Sequence, residues 1–512
     1  MKKGFILTVM LTFMATIGFS QTTFTVRNLA GWIEAINGIR NGGNGNEYTI
    51  NVTGNISVPA VNESTFGSVT GITVTIEGNG TLSLSSNGNL LQIGKEQTII
   101  AKDLILKGKD ANNDAVVRIN EKGIFRMEGK ATITGNKGRG GVKNWGIFTM
   151  SGGTISGNTS IEEGGGVYNR GTFTMSGGTI SGNTSNGDMY RSIGGGVYND
   201  KTFTMSGGTI SGNTATLGDS GVYNSDTFIM SGGMINGNKG CGVFLSKNGT
   251  FTMSDGTISG NNNGGVLTSQ GTFIMNGGTI SGNTSERGGG VMVFGGTFTM
   301  NGGTISSNKA TRSGGGVYIS YNSGGGFFEM KGGTISGNTA TIYGAGVYVD
   351  KGRFEKTGGT VYGDDADQKL KNTVISRLGH TVFDEQNKSW RNITADLTAT
   401  TDSYGFWLND GDVLMFPSSF VGTWQRSNPN NHMDITTITA ASNTNGFLWI
   451  LQKISGNTYT LKRIDSSNTM TINMKYTEGK NSYDNPDIIE ISGDSGSGQN
   501  NWNGTWRKVR FN

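Results

Sequence analysis

The chain has 512 residues, of which 88 are glycine, 4 are proline and 1 is cysteine. The single Cys241 excludes an internal disulfide framework, and a net charge of +4 with no basic run argues against nucleic acid as a partner. Glycine is far above its usual share of about 7%, yet Phe, Met, Ile and Val recur at fixed offsets, so the glycine reads as turn chemistry rather than as disorder.

Residues 1–20 read as a secretory signal peptide. Lys2 and Lys3 supply the positive end, a short apolar run follows, and Gly18 and Ser20 place small residues before a cleavage point at Gln21. The mature protein is therefore expected to be exported, with no transmembrane segment once the leader is removed. Residues 21–46 are predicted to form an N-terminal cap. Within them Leu29, Trp32, Ile33 and Ile36 fall at helical spacing, as in an amphipathic helix that closes the open end of a stack.

Residues 47–363 carry the main signal. Three looser segments (48–58, 72–93 and 98–119) are rich in Val, Ile and Thr. Regular repeats then run over 123–361. Their phrase is Phe-x-Met-x-Gly-Gly-x-Ile-x-Gly-Asn, a variable stretch, and Gly-Gly-Gly-Val-Tyr, clearest over residues 173–198. The Phe recurs from Phe125 to Phe354 in steps of 22 to 30 residues, a period that means a solenoid. Three short strands per turn fit: Phe-x-Met, Thr-Ile-Ser and Val-Tyr-x. Alternation points Phe, Met, Ile and Val inward and the intervening residues outward. The recurrent Asn, from Asn136 to Asn338, is predicted to form an internal amide ladder at a corner where Asn takes a left-handed conformation.

Residues 364–411 lose the period and read as an irregular last coil and linker. Residues 412–512 hold short alternating segments, read as a small antiparallel barrel or sandwich. Gly422-Thr423-Trp424 opens this part and Gly504-Thr505-Trp506-Arg507 closes it. That pairing resembles the Gly-x-Trp start and late Arg of lipocalin-like barrels. The expected fold is thus all-β: a right-handed, single-stranded parallel β-helix with a short N-terminal helical cap and a small C-terminal antiparallel β-domain.

The phrase Ile-x-x-Asn-x-Ala, seen at Ile210, Asn213 and Ala215 and again at Ile335, Asn338 and Ala340, is followed by a glycine-rich turn and Val. It resembles the repeats of bacterial polymorphic outer membrane proteins and related β-helix adhesins. The resemblance implies a surface-exposed passenger, outer membrane-associated or extracellular, with a role in adhesion. The chain departs from that family in having Ile in place of Phe before the Asn. The span of about 100 residues after Phe416 is also too short for an autotransporter barrel.

Chemistry on the repeats is sparse. Asp200 and Asp226 lie in neighbouring coils and are the one carboxylate pair to weigh for glycoside hydrolysis, against the reading of a solvated surface pair. No catalytic residue, cofactor or metal site is expected. Binding is the better class. The longest turn after the Asn carries Met189, Tyr190 and Arg191, and Tyr and Arg are residue types that dominate interface energetics. A second line, one residue per coil, runs through Tyr168, Tyr198, Tyr223, Phe244, Leu267, Met292, Tyr318 and Tyr348. Stacked at about 4.8 Å per step, it reads either as an outward apolar stripe for a host or cell-surface glycan or protein, or as a column that loops or the C-terminal domain cover, or that stabilises the sheet by like-on-like stacking. Two alternatives are a polysaccharide lyase or hydrolase on the same scaffold, and a stiff stalk that presents a ligand-binding C-terminal domain. A monomer is expected.

Overall fold

The computed structural model describes residues 22–187, 193–216, 220–320, 325–363 and 366–375, together with the backbone of further strands up to Lys508. The repeats form a parallel β-solenoid of about 13 turns. At about 4.8 Å per turn this makes a rod of roughly 60 Å.

Three parallel ladders run along it. The first joins the Phe-x-Met strands, from Thr22–Val26 to Gly352–Lys356. The second joins the Thr-Ile-Ser strands, from Asn55–Val58 to Thr360–Val361. The third joins the Val-Tyr-x strands, from Leu91–Ile93 to Val382–Asp384. Register is like on like: Phe173 pairs with Phe203, Ile180 with Ile210, and Val197 with Val222. The repeat period explains this, because every coil brings the same residue type to the same place in the cross-section.

The inward assignment holds throughout. From Phe125 to Phe328 the core Phe, Met, Ile and Val are essentially inaccessible. Adjacent Phe rings stack at 4.5–5.6 Å between centroids, with interplanar angles of 4–21°. Each buried side chain of this kind contributes roughly 1.5–3 kcal/mol, and each ring pair about 0.5–1.5 kcal/mol more. The glycines at the corner after Met serve this packing. A Cβ on Gly208 (φ +83°) would stand 2.6 Å from the terminal methyl of Met175 in the coil below.

The Asn ladder is present and longer than its motif. From Asn158 to Asn338 the backbone N–H and Nδ2 both donate to Oδ1 of the next Asn, at 2.8–3.1 Å. The second Nδ2 proton goes to the carbonyl of the core Ile one coil back, as from Asn213 to Ile180 at 2.9 Å. The ladder extends to Asn112 at one end and to Asn372 at the other.

The left-handed corner is not on the Asn. It lies on the preceding residue, glycine in most coils, with φ between +60° at Gly237 and +71° at Gly135. Ser307 holds the same place with φ +56°. A side chain in that region costs about 1–2 kcal/mol, so Ser307→Gly is expected to raise the stability by up to about 1 kcal/mol after the added chain entropy of glycine. Thermal unfolding of the two proteins checks this.

A second internal ladder went unforeseen. Asn144, Asn169, Asn199 and Asn224 are fully buried, two residues after the core Val, and each of the first three donates from Nδ2 to the next Oδ1 at 2.6 Å. Above Asn224 the column becomes Leu245, Thr268, Val293 and Ile319. The recurring Val-Tyr-Asn was its signal. Short two-residue strands also pair in the turn after the ladder Asn, such as Thr184–Ser185 with Thr214–Ala215.

At the N-terminus helix α1 (Leu29–Asn41) is capped by Asn28, whose side chain accepts from the Gly31 N–H. The helix follows the first solenoid strand, Thr22–Val26, rather than preceding the stack. Its core face is Trp32, Ala35 and Ile39, while the expected core residues Leu29 and Ile33 are 39% and 46% exposed. The hydrophobic spacing found the helix and two residues of its core face, the buried Trp32 and the partly buried Ile36. Beyond residue 411 the strands from Val413–Met415 to Gly504–Lys508 pair antiparallel in one sheet. The loops between them, and with them the barrel or sandwich reading, lie outside the described residues. No helix among the described residues is long and apolar enough to cross a membrane.

Candidate functional surface

The third ladder brings the residue after each core Val into one column. Tyr168, Tyr198, Tyr223 and Phe244 stack at 5.1, 5.4 and 5.2 Å, nearly parallel. All four are half-buried. Leu267 and Met292 interrupt the rings, and Tyr318 stacks on Tyr348 at 5.3 Å. The last two do not form an outward stripe: Tyr318 is 3% and Tyr348 6% exposed. The Tyr318 hydroxyl donates to Asp350 Oδ2 at 2.8 Å.

Stacking also changes what the exposed rings can offer. Their faces are spent on one another, so the column shows ring edges and hydroxyls. A sugar ring that packs on an aromatic face has no such face within the stack. At its lower end the Tyr168 ring is met by Lys143 Nζ at 5.6 Å and by the Arg170 guanidinium at 5.5 Å.

That end is the most elaborate corner of the rod. Lys143 occupies the column one coil before Tyr168 and is 6% exposed. Its ammonium donates to Glu162 at 3.1 Å, and Arg139 reaches the same carboxylate at 3.3 Å. Burial lowers the Lys143 pKa from its usual range, against the opposing pull of Glu162. Arg170 donates to Asp200 at 2.8 Å, and Arg118 lies 4.7 Å over the Trp145 ring. Glu162 belongs to the variable turn after the ladder Asn and Lys143 to the third ladder, so this contact joins the two variable regions into one edge. The aromatic motif could not reveal it, because Lys143 stands where later coils have Tyr.

The phenols of this edge stay protonated. Burial, helped by Asp200, raises Tyr198 above the usual range, and burial likewise raises Tyr168 and Tyr223. Tyr318 is pushed up to about 12 by burial and by its bond to Asp350. Its unfolded-state value lies near 10. Below pH 10 both states are neutral and the contribution is fully present; above pH 10 the unfolded chain ionises first and stability falls towards pH 12. Tyr318→Phe is therefore expected to flatten the loss of stability between pH 10 and 12, as measured by denaturant titration at each pH.

Asp200 and Asp226 do not form a carboxylate pair. Asp200 is held by Arg170 and by the Ser225 hydroxyl, and Asp226 accepts from Thr227. The register aligns Asn199 with Asn224, so Asp200 faces Ser225 and Asp226 falls one residue further along. Met189, Tyr190 and Arg191 lie outside the described residues. Among the described residues no cluster of three metal-ligating side chains occurs.

The fold defines a parallel β-solenoid repeat protein. No protein-family model, no curated protein and no solved structure matches the chain.

Proposed function

We propose that this is an exported bacterial β-helix protein, at the cell surface or secreted, that binds a glycan or protein partner without catalysis. The adhesin-like character follows the resemblance of its repeats to polymorphic outer membrane proteins. The observation that carries the reading is the division of labour among repeat positions. Phe, Met, Ile, Val and both Asn columns are buried and structural, and the positions that vary meet on one edge at Lys143, Glu162, Tyr168 and Arg170.

The stacked ring edges favour a partner that accepts hydrogen bonds from phenol hydroxyls and lies along the rod. The leader over 1–20 and a right-handed winding of the coils belong to the same reading. So does a lipocalin-like closure of 412–512.

Protease shaving of intact cells, followed by mass spectrometry, tests the location: peptides from 123–361 should be released. Arrays of glycans and cell-surface proteins, probed with the full chain, test the activity. Tyr198→Ala is expected to weaken the binding found there by roughly tenfold, about 1.4 kcal/mol. Turnover of a polysaccharide by the purified chain, lost in Lys143→Ala, would replace the binding reading with an enzyme.

A further inference from the structure

The outward residues of the first two ladders play no part in the edge described above, and they form a second surface. In the first ladder the residue before the core Phe is Thr in every coil from Thr172 to Thr297. The residue after that Phe is Thr174, Thr204, Thr252 or Thr299, with Ile229 and Ile274 between them. In the second ladder the residue before the core Ile is Thr from Thr154 to Thr334, except at Met234, and the residue after it is Ser in most coils.

These threonines are in register and half-buried, apart from the exposed Thr172. Thr227 donates to Asp226, and the inward Thr268 donates to the Gly295 carbonyl. By contrast, the hydroxyls of Thr174, Thr204, Thr252 and Thr299 have no hydrogen-bond partner among the described residues. They are left for something outside the chain.

Three physical properties define what that is. The first is spacing: hydroxyls repeat at about 4.8 Å along the rod and at about 6.6 Å along a strand, the distance across two residues. β-Branched threonine holds them stiffly. The second is charge. Over the first two ladders from Ile147 to Ser306 the only ionisable side chain is Asp255, at a register shift within the strand Thr250–Ser259. Arg126 and Glu128 bound this field at one end, and Glu329 and Lys331 at the other. A charged polymer gains nothing there. The third is the absence of outward aromatic rings over the same coils, which removes the usual platform for sugars.

A hydroxyl both donates and accepts, as water does. A rigid, neutral, two-dimensional grid of hydroxyls and methyls complements a neutral lattice of ordered water. We propose that this threonine face binds the surface of ice. The assignment goes beyond the binding role proposed above and uses a different face of the rod.

The test is ice growth in the presence of the purified full chain. Thermal hysteresis, recrystallisation of polycrystalline ice and adsorption of fluorescently labelled protein to a growing crystal are measured together. The wild type is expected to shape crystals and suppress recrystallisation. Thr204→Arg, in the middle of the field, should lose both effects, while Tyr223→Ala on the third ladder should keep them. Thr204→Val, which keeps the shape and the β-branch, guards against misfolding and should retain a reduced effect. A wild type without effect on ice overturns the proposal, as does a Thr204→Arg protein as active as wild type. Retention on insoluble chitin or cellulose without any effect on ice would assign the face to a neutral polysaccharide. A Thr204-dependent dimer in sedimentation, again without an ice effect, would assign it to self-association.

Discussion

Replacing Asn213 by leucine is expected to destabilise the rod by several kcal/mol, well beyond a typical point substitution. The side chain fits by volume, so the loss comes from polar groups. Asn213 Oδ1 accepts from both the backbone N–H and the Nδ2 of Asn183, at 3.0 and 3.1 Å. Its Nδ2 donates to Asn238 and to the Ile180 carbonyl, at 3.1 and 2.9 Å. Leucine leaves the Asn183 N–H and the Ile180 carbonyl buried without these partners, at roughly 1–3 kcal/mol each. Asn224→Leu is the control. Its column already passes to Leu245 in the next coil, and two of the carbonyls it serves, Asp226 and Thr250, are only partly buried. It should cost clearly less. Chemical denaturation of both variants measures the difference; equal losses would mean that the ladder at Asn213 has no special role.

Deleting one whole coil should be milder than changing that single atom pattern. Removal of residues 249–270 brings Gly271 to the place of Gly249, since Thr250 and Thr272 are register partners. Asn238 then faces Asn283 in place of Asn261, and Val243 faces Val291, like on like in both cases. In a stack held by nearest-neighbour contacts, such a deletion removes one repeat and one interface. A soluble rod is expected, shorter by about 4.8 Å, with a denaturant slope reduced in proportion to the lost buried surface. Small-angle scattering and urea unfolding give both numbers. Aggregation of this variant would show that the coils are not interchangeable.

Much of the rod is legible in the sequence. Phe, Met, Ile and Val at constant offsets gave ladders, inward faces and register, because each depends only on the period of two along a strand and on the repeat length. The Asn ladder was legible for the same reason, although its left-handed corner was assigned to the Asn instead of to Gly182 and its equivalents. An Asn next to a Gly offers two candidates for that conformation, and only the backbone shows that the Gly takes it. The exposed stripe was half right. Tyr168, Tyr198 and Tyr223 do line up, but strand alternation cannot tell an outward residue in water from one covered by neighbouring turns, as Tyr318 and Tyr348 are.

By itself, then, the sequence determined the solenoid, its core and its outward threonine columns, since repetition forces equal residues into equal environments. The tertiary structure decided what repetition cannot. The reach of Glu162 to Lys143 depends on how turns of unequal length fold back on a strand. The loss of ring faces to mutual stacking depends on the rotamers that a 5 Å column permits, with Tyr198 lying 5.1 Å from Tyr168 and 5.4 Å from Tyr223. The unpartnered state of the hydroxyls of Thr174, Thr204, Thr252 and Thr299 depends on the lack of an acceptor within reach among the described residues, a property of the assembled surface and not of any one repeat.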